Sequence, residues 1–395
     1  MPAAGSLENI ESLSGKAMKK IMLFARDPGG ANAIAPLAPK LKLRGYEVLL
    51  YGKDAALRQY LSHGLGGRDF AAEAPFMGVD EYVTLLRRIA PDFLITGTGS
   101  DDLTEKFLWQ AAEHLQLPCF AILDHWFNYG IRFSPYKLVE QELYERDRRH
   151  PYLPTKIMVM DEEVRDAMIR EGFEPDRLCV AGQPHFDAVR EQAMRYGSAE
   201  RRQYRELLGL NENEFLIAFI SENITEPEKG DDLRQYYWGY TERSIFREFM
   251  DALQAVSVTA GRKVHVVVKP HPNETIDAYS DLIAERAGGA VTASIDSSAP
   301  SVRLCKAVDL VCGMSSMVLV ESVILGLPVI SIQIGLTREN PFILDQKGIV
   351  QSVLNQSELR EKVAGYMTGT IAAATGFNMP TGSADRIIEW MEEWL

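Results

Sequence analysis

Val308-Asp309-Leu310-Val311-Cys312-Gly313-Met314-Ser315-Ser316-Met317-Val318-Leu319-Val320-Glu321-Ser322-Val323-Ile324-Leu325-Gly326-Leu327-Pro328-Val329-Ile330 decides the fold class. It reads as a buried strand over 308–312, a turn at Gly313, a helix opening at Ser315 and Ser316, and a second strand after Gly326-Leu327-Pro328. Strand, turn, helix, strand is the grammar of a parallel α/β unit. A helix N-terminus aimed out of the carboxyl edge of a parallel strand presents unpaired N–H groups and the positive end of a dipole. The two hydroxyls add donors, and the whole suits a phosphate. Glu321 lies one and a half turns into an otherwise apolar helix, where a carboxylate is costly without a partner such as a nucleotide ribose. The alternative is an ordinary βαβ unit with serine caps and an ion-paired glutamate.

A second stretch sharpens the reading. The run 263–269, Lys-Val-His-Val-Val-Val-Lys, is too apolar to face water on both sides, and it ends in Pro270-His271-Pro272-Asn273-Glu274. Two prolines hold the backbone around His271 at a strand's carboxyl end, where open α/β sheets place ligands. An imidazole held there suits a phosphate or a leaving group, although a histidine in a proline-rich turn also has a purely structural reading.

Together these motifs resemble the GT-B superfamily of nucleotide-sugar enzymes. Lys269-Pro270-His271-Pro272 is similar to the His-Pro motif of bacterial capsule, sialyl- and Kdo-type transferases and of CDP-glycerol polyol-phosphate transferases. Gly313-Met314-Ser315-Ser316 with Glu321 is similar to their Ser-Ser motif. Ala181-Gly182-Gln183-Pro184-His185-Phe186-Asp187 is similar to the Gly-x-Pro-x-x-Asp segment that leads from first to second domain in these enzymes and in hydrolysing UDP-N-acetylglucosamine 2-epimerases.

The resemblance implies an α/β GT-B fold, two Rossmann-like doubly wound parallel-sheet domains facing a cleft. It implies a transferase that moves a sugar or polyol phosphate from a nucleotide-activated donor to the hydroxyl of a glycan or small-molecule acceptor in surface polysaccharide assembly. The alternatives are a UDP-sugar 2-epimerase and a non-catalytic nucleotide-sugar binding protein. Gly313, Ser315, Ser316 and Lys269 would hold donor phosphate, His271 would stabilise the leaving phosphate, and Glu321 would take the ribose hydroxyls. No redox cofactor is needed, and no Asp-x-Asp metal motif is evident, since a helix dipole and a histidine can stabilise a leaving group. An epimerase would need further acid–base carboxylates and basic phosphate contacts that the sequence does not place. The membrane-binding module and long basic surface usual in the CDP-glycerol enzymes are missing from this acidic chain.

At 395 residues the chain is long for one core, so two domains are expected. The expected layout is a loose tail over 1–18, an acceptor-side domain over 19–190, a nucleotide-donor domain over 191–380, and a last helix over 381–395 packing back on the first domain. No run of about 18 apolar residues spans a membrane, and residues 1–20 do not read as a signal peptide. Cys119, Cys179, Cys305 and Cys312 are scattered and read as buried thiols, not a disulfide frame or a zinc site. A formal charge of −13 argues against a nucleic-acid partner and against a purely electrostatic hold on anionic lipid. A cytoplasmic location follows as the expectation, at most peripheral at the inner membrane face.

Strands are expected at 21–25, 47–51, 92–96, 118–123, 156–160 and 177–181, with helices near 33–44, 54–62, 79–90, 102–116 and 161–172. The second half restarts with strands at 215–220, 264–268, 310–312 and 328–332 and helices near 241–260 and 274–287. Residues 187–210 are charged and helical, which puts the domain boundary near 185–210, and 385–395 is an amphipathic helix.

Four loops carry candidate chemistry. Arg26-Asp27-Pro28-Gly29-Gly30-Ala31-Asn32 is a glycine turn into a helix, with Gly29 and Gly30 permitting close backbone approach; Gly29, Gly30 and Asn32 are expected on the acceptor side, unless the segment is only a tight βα turn. Thr96-Gly97-Thr98-Gly99-Ser100-Asp101-Asp102 is a second such turn, in which Ser100 or Asp101 suffices as a helix cap. Leu123-Asp124-His125-Trp126-Phe127-Asn128-Tyr129-Gly130-Ile131-Arg132-Phe133 discharges a carboxylate, an imidazole, aromatics, an amide and a guanidinium from a buried strand. Asp124 or His125 suits proton transfer, and Trp126, Asn128 and Arg132 suit an acceptor wall, unless the aromatics merely pack under the next helix. Ser221-Glu222-Asn223-Ile224-Thr225-Glu226 leaves the first strand of the second domain with Ser221 and Asn223 as phosphate or sugar donors. The run 229–242, with Tyr236, Tyr237, Trp238 and Tyr240, reads as a mobile lid or a homodimer contact.

Overall fold

Long apolar runs become the central strands of two parallel sheets, because a strand covered by helices on both faces has no polar side to show. The computed structural model describes residues 18–76, 78–100, 102–224, 238–272 and 274–395. The tail to residue 17, Asp101, Asn273, Thr225, Glu226, Tyr236 and Tyr237, on which some expectations fall, lie outside the described residues. The chain divides into two units, one running to His185 and including Gly382–Leu395, the other Phe186–Thr381.

The first unit runs β1 (Lys20–Ala25), α1 (Pro28–Ile34), α2 (Leu37–Leu43), β2 (Glu47–Gly52), α3 (Ala55–Ser62), β3 (Arg68–Asp69), α4 (Phe70–Glu73), α5 (Val79–Ile89) and β4 (Phe93–Thr96). It continues with α6 (Thr104–His114), β5 (Cys119–Ile122), α7 (Gln141–Asp147), β6 (Lys156–Val159), α8 (Glu162–Arg170) and β7 (Leu178–Val180). Its seven strands lie in the order β3-β2-β1-β4-β5-β6-β7, every pair parallel. β1 pairs with both β2 and β4, so the winding reverses there, and the carboxyl ends of β1 and β4 form a topological switch point.

The helix expected at 33–44 is two helices. α1 starts earlier, at Pro28, because the Asp27 side chain caps it by accepting from Gly30 N–H, and it ends before Pro36, which opens α2.

The second unit runs α9 (Pro184–Ala193), whose first two residues precede the division, then α10 (Ser198–Leu207), β8 (Phe215–Ile220), α11 (Glu242–Ala260), β9 (Val264–Lys269), α12 (Ser280–Arg286) and β10 (Val291–Ile295). It ends with α13 (Ser301–Ala307), β11 (Leu310–Gly313), α14 (Met317–Ile324), β12 (Val329–Ser331), α15 (Ile343–Gln346) and α16 (Gln356–Thr368). The order is β10-β9-β8-β11-β12, again parallel throughout, with its switch point between β8 and β11. β10 had no counterpart in the expected strands. It is an edge strand whose middle residues, Thr292, Ala293 and Ser294, are small or polar, with only its first residue fully buried, so it lacks the apolar run that marks a central strand.

α17 (Ser383–Glu392) packs within the first unit. Ile387, Ile388 and Met391 enter the core that holds Ile21, Leu23 and Leu41. Lys40 pairs with Asp385 at 2.8 Å and Arg44 with Glu392 at 3.0 Å. All four cysteines are free thiols. No helix among the described residues is long and apolar enough to cross a membrane.

Candidate functional site

In the second unit the switch point brings the predicted Ser-Ser turn against the loop after β8. β11 ends at Gly313, where an added Cβ would lie 2.7 Å from the Ile220 carbonyl oxygen and 2.9 Å from Leu319 Cδ1. Only glycine lets β11 run this close to β8 and turn into α14. Gly313→Ala is therefore expected to cost about 1–3 kcal/mol through overpacking. Wild-type thermal stability in that variant would show that the turn has room to spare. Ser316 is the N-cap of α14 and accepts from Val318 N–H at 3.3 Å.

Ser315 points its donors at a carboxylate of this same chain. Its N–H donates to Glu222 Oε1 at 2.5 Å and its hydroxyl to Glu222 Oε2 at 2.8 Å. Burial pushes the Glu222 carboxyl up, while these two bonds and the N–H groups of Ser316 and Met314 work against that rise by favouring its charge. The donors of the turn read as an anion site are thus taken by the Glu222 carboxyl of this same chain.

The other predicted residues of this unit are placed as follows. The Ser221 hydroxyl is buried and donates to Glu274 Oε1 at 2.9 Å, meeting Tyr279 as well. His271 N–H donates to Glu274 Oε2 at 2.6 Å, so the loops after β8 and β9 are tied through Glu274. Burial lowers the pKa of the His271 imidazole below its ordinary value. The Lys269 ammonium donates to the Ser297 carbonyl at 3.2 Å, towards the loop after β10. Asn223 is exposed, and Glu321 lies on α14 at 9% exposure. Tyr240, expected in a lid, is buried in the core and donates to Gln333 Oε1 at 2.5 Å.

In the first unit, carboxylates converge where β1, β4 and β5 end. A Cβ on Gly29 would lie 2.0 Å from Asp124 Oδ2 and 3.9 Å from Asp27 Oδ1, so both acids face the glycine turn. Gly30 and Gly97 touch, a Cβ on Gly97 falling 3.0 Å from Gly30 Cα. Asp124 Oδ1 lies 3.5 Å from Arg132 Nη1 and 3.4 Å from the Thr98 hydroxyl, and the guanidinium also donates to the Thr98 carbonyl. Burial raises the Asp124 carboxyl, with Arg132 opposing. Burial and then the Asp124 charge raise Asp27. Burial and a neighbouring like charge both favour the protonated form of Asp27. Burial, then Arg132, pushes the His125 imidazole down to about 4, so it is neutral near pH 7 and a weaker base than an ordinary histidine.

Glu105 was not singled out from the sequence. It is 1% exposed, and burial followed by the charges of Asp27 and Asp102 pushes its carboxyl up to about 8. Asp102 is ionised and pairs with Arg26 at 3.0 Å and Lys53 at 2.6 Å. Asp27 and Glu222 lie inside two of the candidate loops, where the sequence alone marks no role for them. Each was recognisable as an acid just past a strand, yet its partner lies in a distant segment.

Three of the residues expected on the acceptor side have other attachments or geometry. The Trp126 indole is buried and donates to Asp161 Oδ2 at 2.8 Å, the residue that caps α8. Asn32 Oδ1 is engaged by Gln59 at 2.7 Å and His63 at 2.8 Å on the α3 side. Asn128 forms a left-handed turn at φ +57°. A cavity of about 410 Å³ lies near the amino-terminal starts of β5 and β6, lined by Phe120, Lys156, Arg165, Trp390 and Trp394 among others, away from the end that bears Asp124.

No protein-family model matches the chain, and no curated protein matches it significantly. Solved structures do. The UDP-GlcNAc 2-epimerase from Methanocaldococcus jannaschii is similar at a TM-score of 0.65 and 13% identity, over 95% of this chain and 99% of that one. The UDP-GlcNAc 2-epimerase from Neisseria meningitidis bound to UDP-GlcNAc matches at 0.62 and 15%, over 95% and 100%. A glycosyltransferase from Rickettsia africae matches at 0.54 and 12%, over 96% and 99%. Identities this low establish architecture: the fold is GT-B, two Rossmann-like α/β units, as the sequence motifs implied.

Proposed function

We propose that the protein is an enzyme acting on a nucleotide-activated sugar, the second unit holding the nucleotide phosphates and the first supplying proton transfer. The reaction is transfer of the sugar, or of a polyol phosphate, to an acceptor hydroxyl in surface polysaccharide assembly. The observation that carries this reading is the Ser315–Ser316 turn, which binds a carboxylate through a backbone N–H and a hydroxyl at a sheet's switch point. Donors so arranged suit a phosphate oxygen equally well. Neighbours of the same fold carry UDP-GlcNAc.

In this mechanism the turn at Gly313 and the start of α14 hold donor phosphate, and Glu321 accepts from ribose hydroxyls. His271, its pKa lowered by burial, is neutral near pH 7, and an arriving phosphate draws that pKa upward, turning the ring into a charged donor to the leaving group. Asp124 or His125 takes the acceptor proton. A carboxylate with a raised pKa is the stronger base near neutral pH.

A second reading, 2-epimerisation of a UDP-sugar, is favoured by one observation: Asp27 beside Asp124 supplies the further acid–base carboxylate that such chemistry needs. Of two neighbouring carboxyls, one ionised and one protonated, the first can remove a proton and the second return one. Incubation with UDP-, CDP-, CMP- and GDP-sugars in D2O, with and without an acceptor mixture, separates the two. Transfer requires acceptor and leaves the sugar carbons protonated, whereas epimerisation proceeds alone and incorporates deuterium. Inertness toward every donor would remove both. The double change Ser315→Ala with Ser316→Ala is expected to weaken UDP binding at least tenfold while the melting temperature stays nearly constant, and unchanged affinity by calorimetry would dismiss the phosphate site.

A further inference from the structure

We propose that Glu222 is a built-in occupant of the phosphate site, so that a nucleotide binds by displacing this carboxylate and inorganic phosphates, lacking other anchors, are turned away. The proposal rests on the nucleotide reading above and adds to it a residue that sets which phosphates can enter.

The strand register places Glu222 where it acts. Ile220, the last residue of β8, pairs with Gly313, the last of β11, and the two chains leave the sheet side by side. Two residues on, Glu222 stands beside Ser315. Both carboxylate oxygens are used, one on the Ser315 N–H at 2.5 Å and one on its hydroxyl at 2.8 Å. Bonds of this length to a carboxyl group are among the stronger hydrogen bonds in proteins. The Ser315 N–H carries a single hydrogen, and a phosphate oxygen and the Glu222 carboxylate cannot both take it. Two anions crowded at one turn also repel, more strongly in a half-buried site than in water.

Displacement is mechanically accessible. Glu222 and Ser315 are half-buried, and water can reach the freed donors. Glu222 lies on a loop whose next residue, Asn223, is exposed, while its neighbour Ser221 is anchored to Glu274. The loop therefore has a fixed root, and the residue that follows Glu222 faces solvent. A ligand that also binds through ribose and base has more interaction energy to spend on the exchange than pyrophosphate, which lacks both.

A purely structural clamp would make the same contacts with the opposite consequence. If Glu222 only shaped the turn, its removal would leave the site malformed and binding weaker. Calorimetry with UDP, CDP, GDP and CMP, and with inorganic pyrophosphate, on wild type, Glu222→Ala and Glu222→Gln decides between them. The expected result is at least tenfold tighter nucleotide binding in Glu222→Ala, a smaller gain in Glu222→Gln, and pyrophosphate binding measurable in the variants alone. Equal or weaker nucleotide binding in the folded variants overturns the displacement proposal and leaves the nucleotide reading standing. Absence of nucleotide binding in all three proteins overturns the nucleotide reading, and this proposal with it. If Glu222→Ala fails to fold, Glu222→Gln, which keeps shape and loses charge, carries the comparison alone.

Discussion

Asp124→Asn is expected to slow turnover by roughly 10²–10⁴-fold, the usual worth of a positioned general base, with nucleotide affinity nearly unchanged. The amide preserves the shape beside Gly29 but cannot take the acceptor proton, and it removes the charge that helps to raise Asp27. The base form is the carboxylate, so wild-type turnover should fall as pH drops through the raised pKa of the pair. Arg132 opposes that rise, and removing its charge in Arg132→Gln should move the acidic limb of the pH–turnover profile to higher pH. Turnover within a factor of ten of wild type in a folded Asp124→Asn protein would transfer the role of base to His125 or abolish it.

Glu105→Gln is expected to stabilise the first unit increasingly as pH rises. Glu105 has its folded pKa raised from 4.5 to about 8, so the folded chain keeps a proton that the unfolded chain has released between those values. Its favourable contribution is fully present below about pH 4.5 and is lost as pH climbs toward 8. Glutamine imitates the protonated acid at every pH. Each tenfold difference in proton affinity between folded and unfolded chain is worth about 1.4 kcal/mol, so the advantage of the variant should be small at pH 5 and on the order of 2–4 kcal/mol at pH 8. Histidines act in the opposite window. His125 and His150 are both pushed down to about 4, so the fold loses stability as pH falls from about 6.5 toward 4, where the unfolded chain binds protons that the folded chain refuses. Denaturant unfolding of both proteins at pH 5, 7 and 8 tests the claim, and a stability difference independent of pH would mean that Glu105 is ionised and paired in the folded chain.

Both predictions depend on groups that the sequence presented singly. Asp124 stood out because a buried strand ended in it. Asp27 was hidden inside a glycine turn, and its role as cap of α1 with Pro28 at the first helical position explains why that helix begins before the point its apolar pattern suggests. Glu105 reads as an ordinary acid in the first turn of a helix. Its burial follows from the packing of α6, which a sequence pattern does not reveal.

Local grammar was determined by the sequence itself. Unbroken apolar runs such as 215–220 and 264–268 marked strands covered on both faces, and glycine, proline and serine marked where those strands turn into helices. The Ser315–Ser316 turn was legible for that reason, all its parts being consecutive. Tertiary structure alone decided what stands opposite it. Glu222 meets Ser315 because β8 pairs with β11, and Asp27 meets Asp124 because β1, β4 and β5 end on the same edge of one sheet. Strand order is set by how helices and strands pack over the whole unit, and hydrogen bonds between backbones carry no record of it in the side chains that pair.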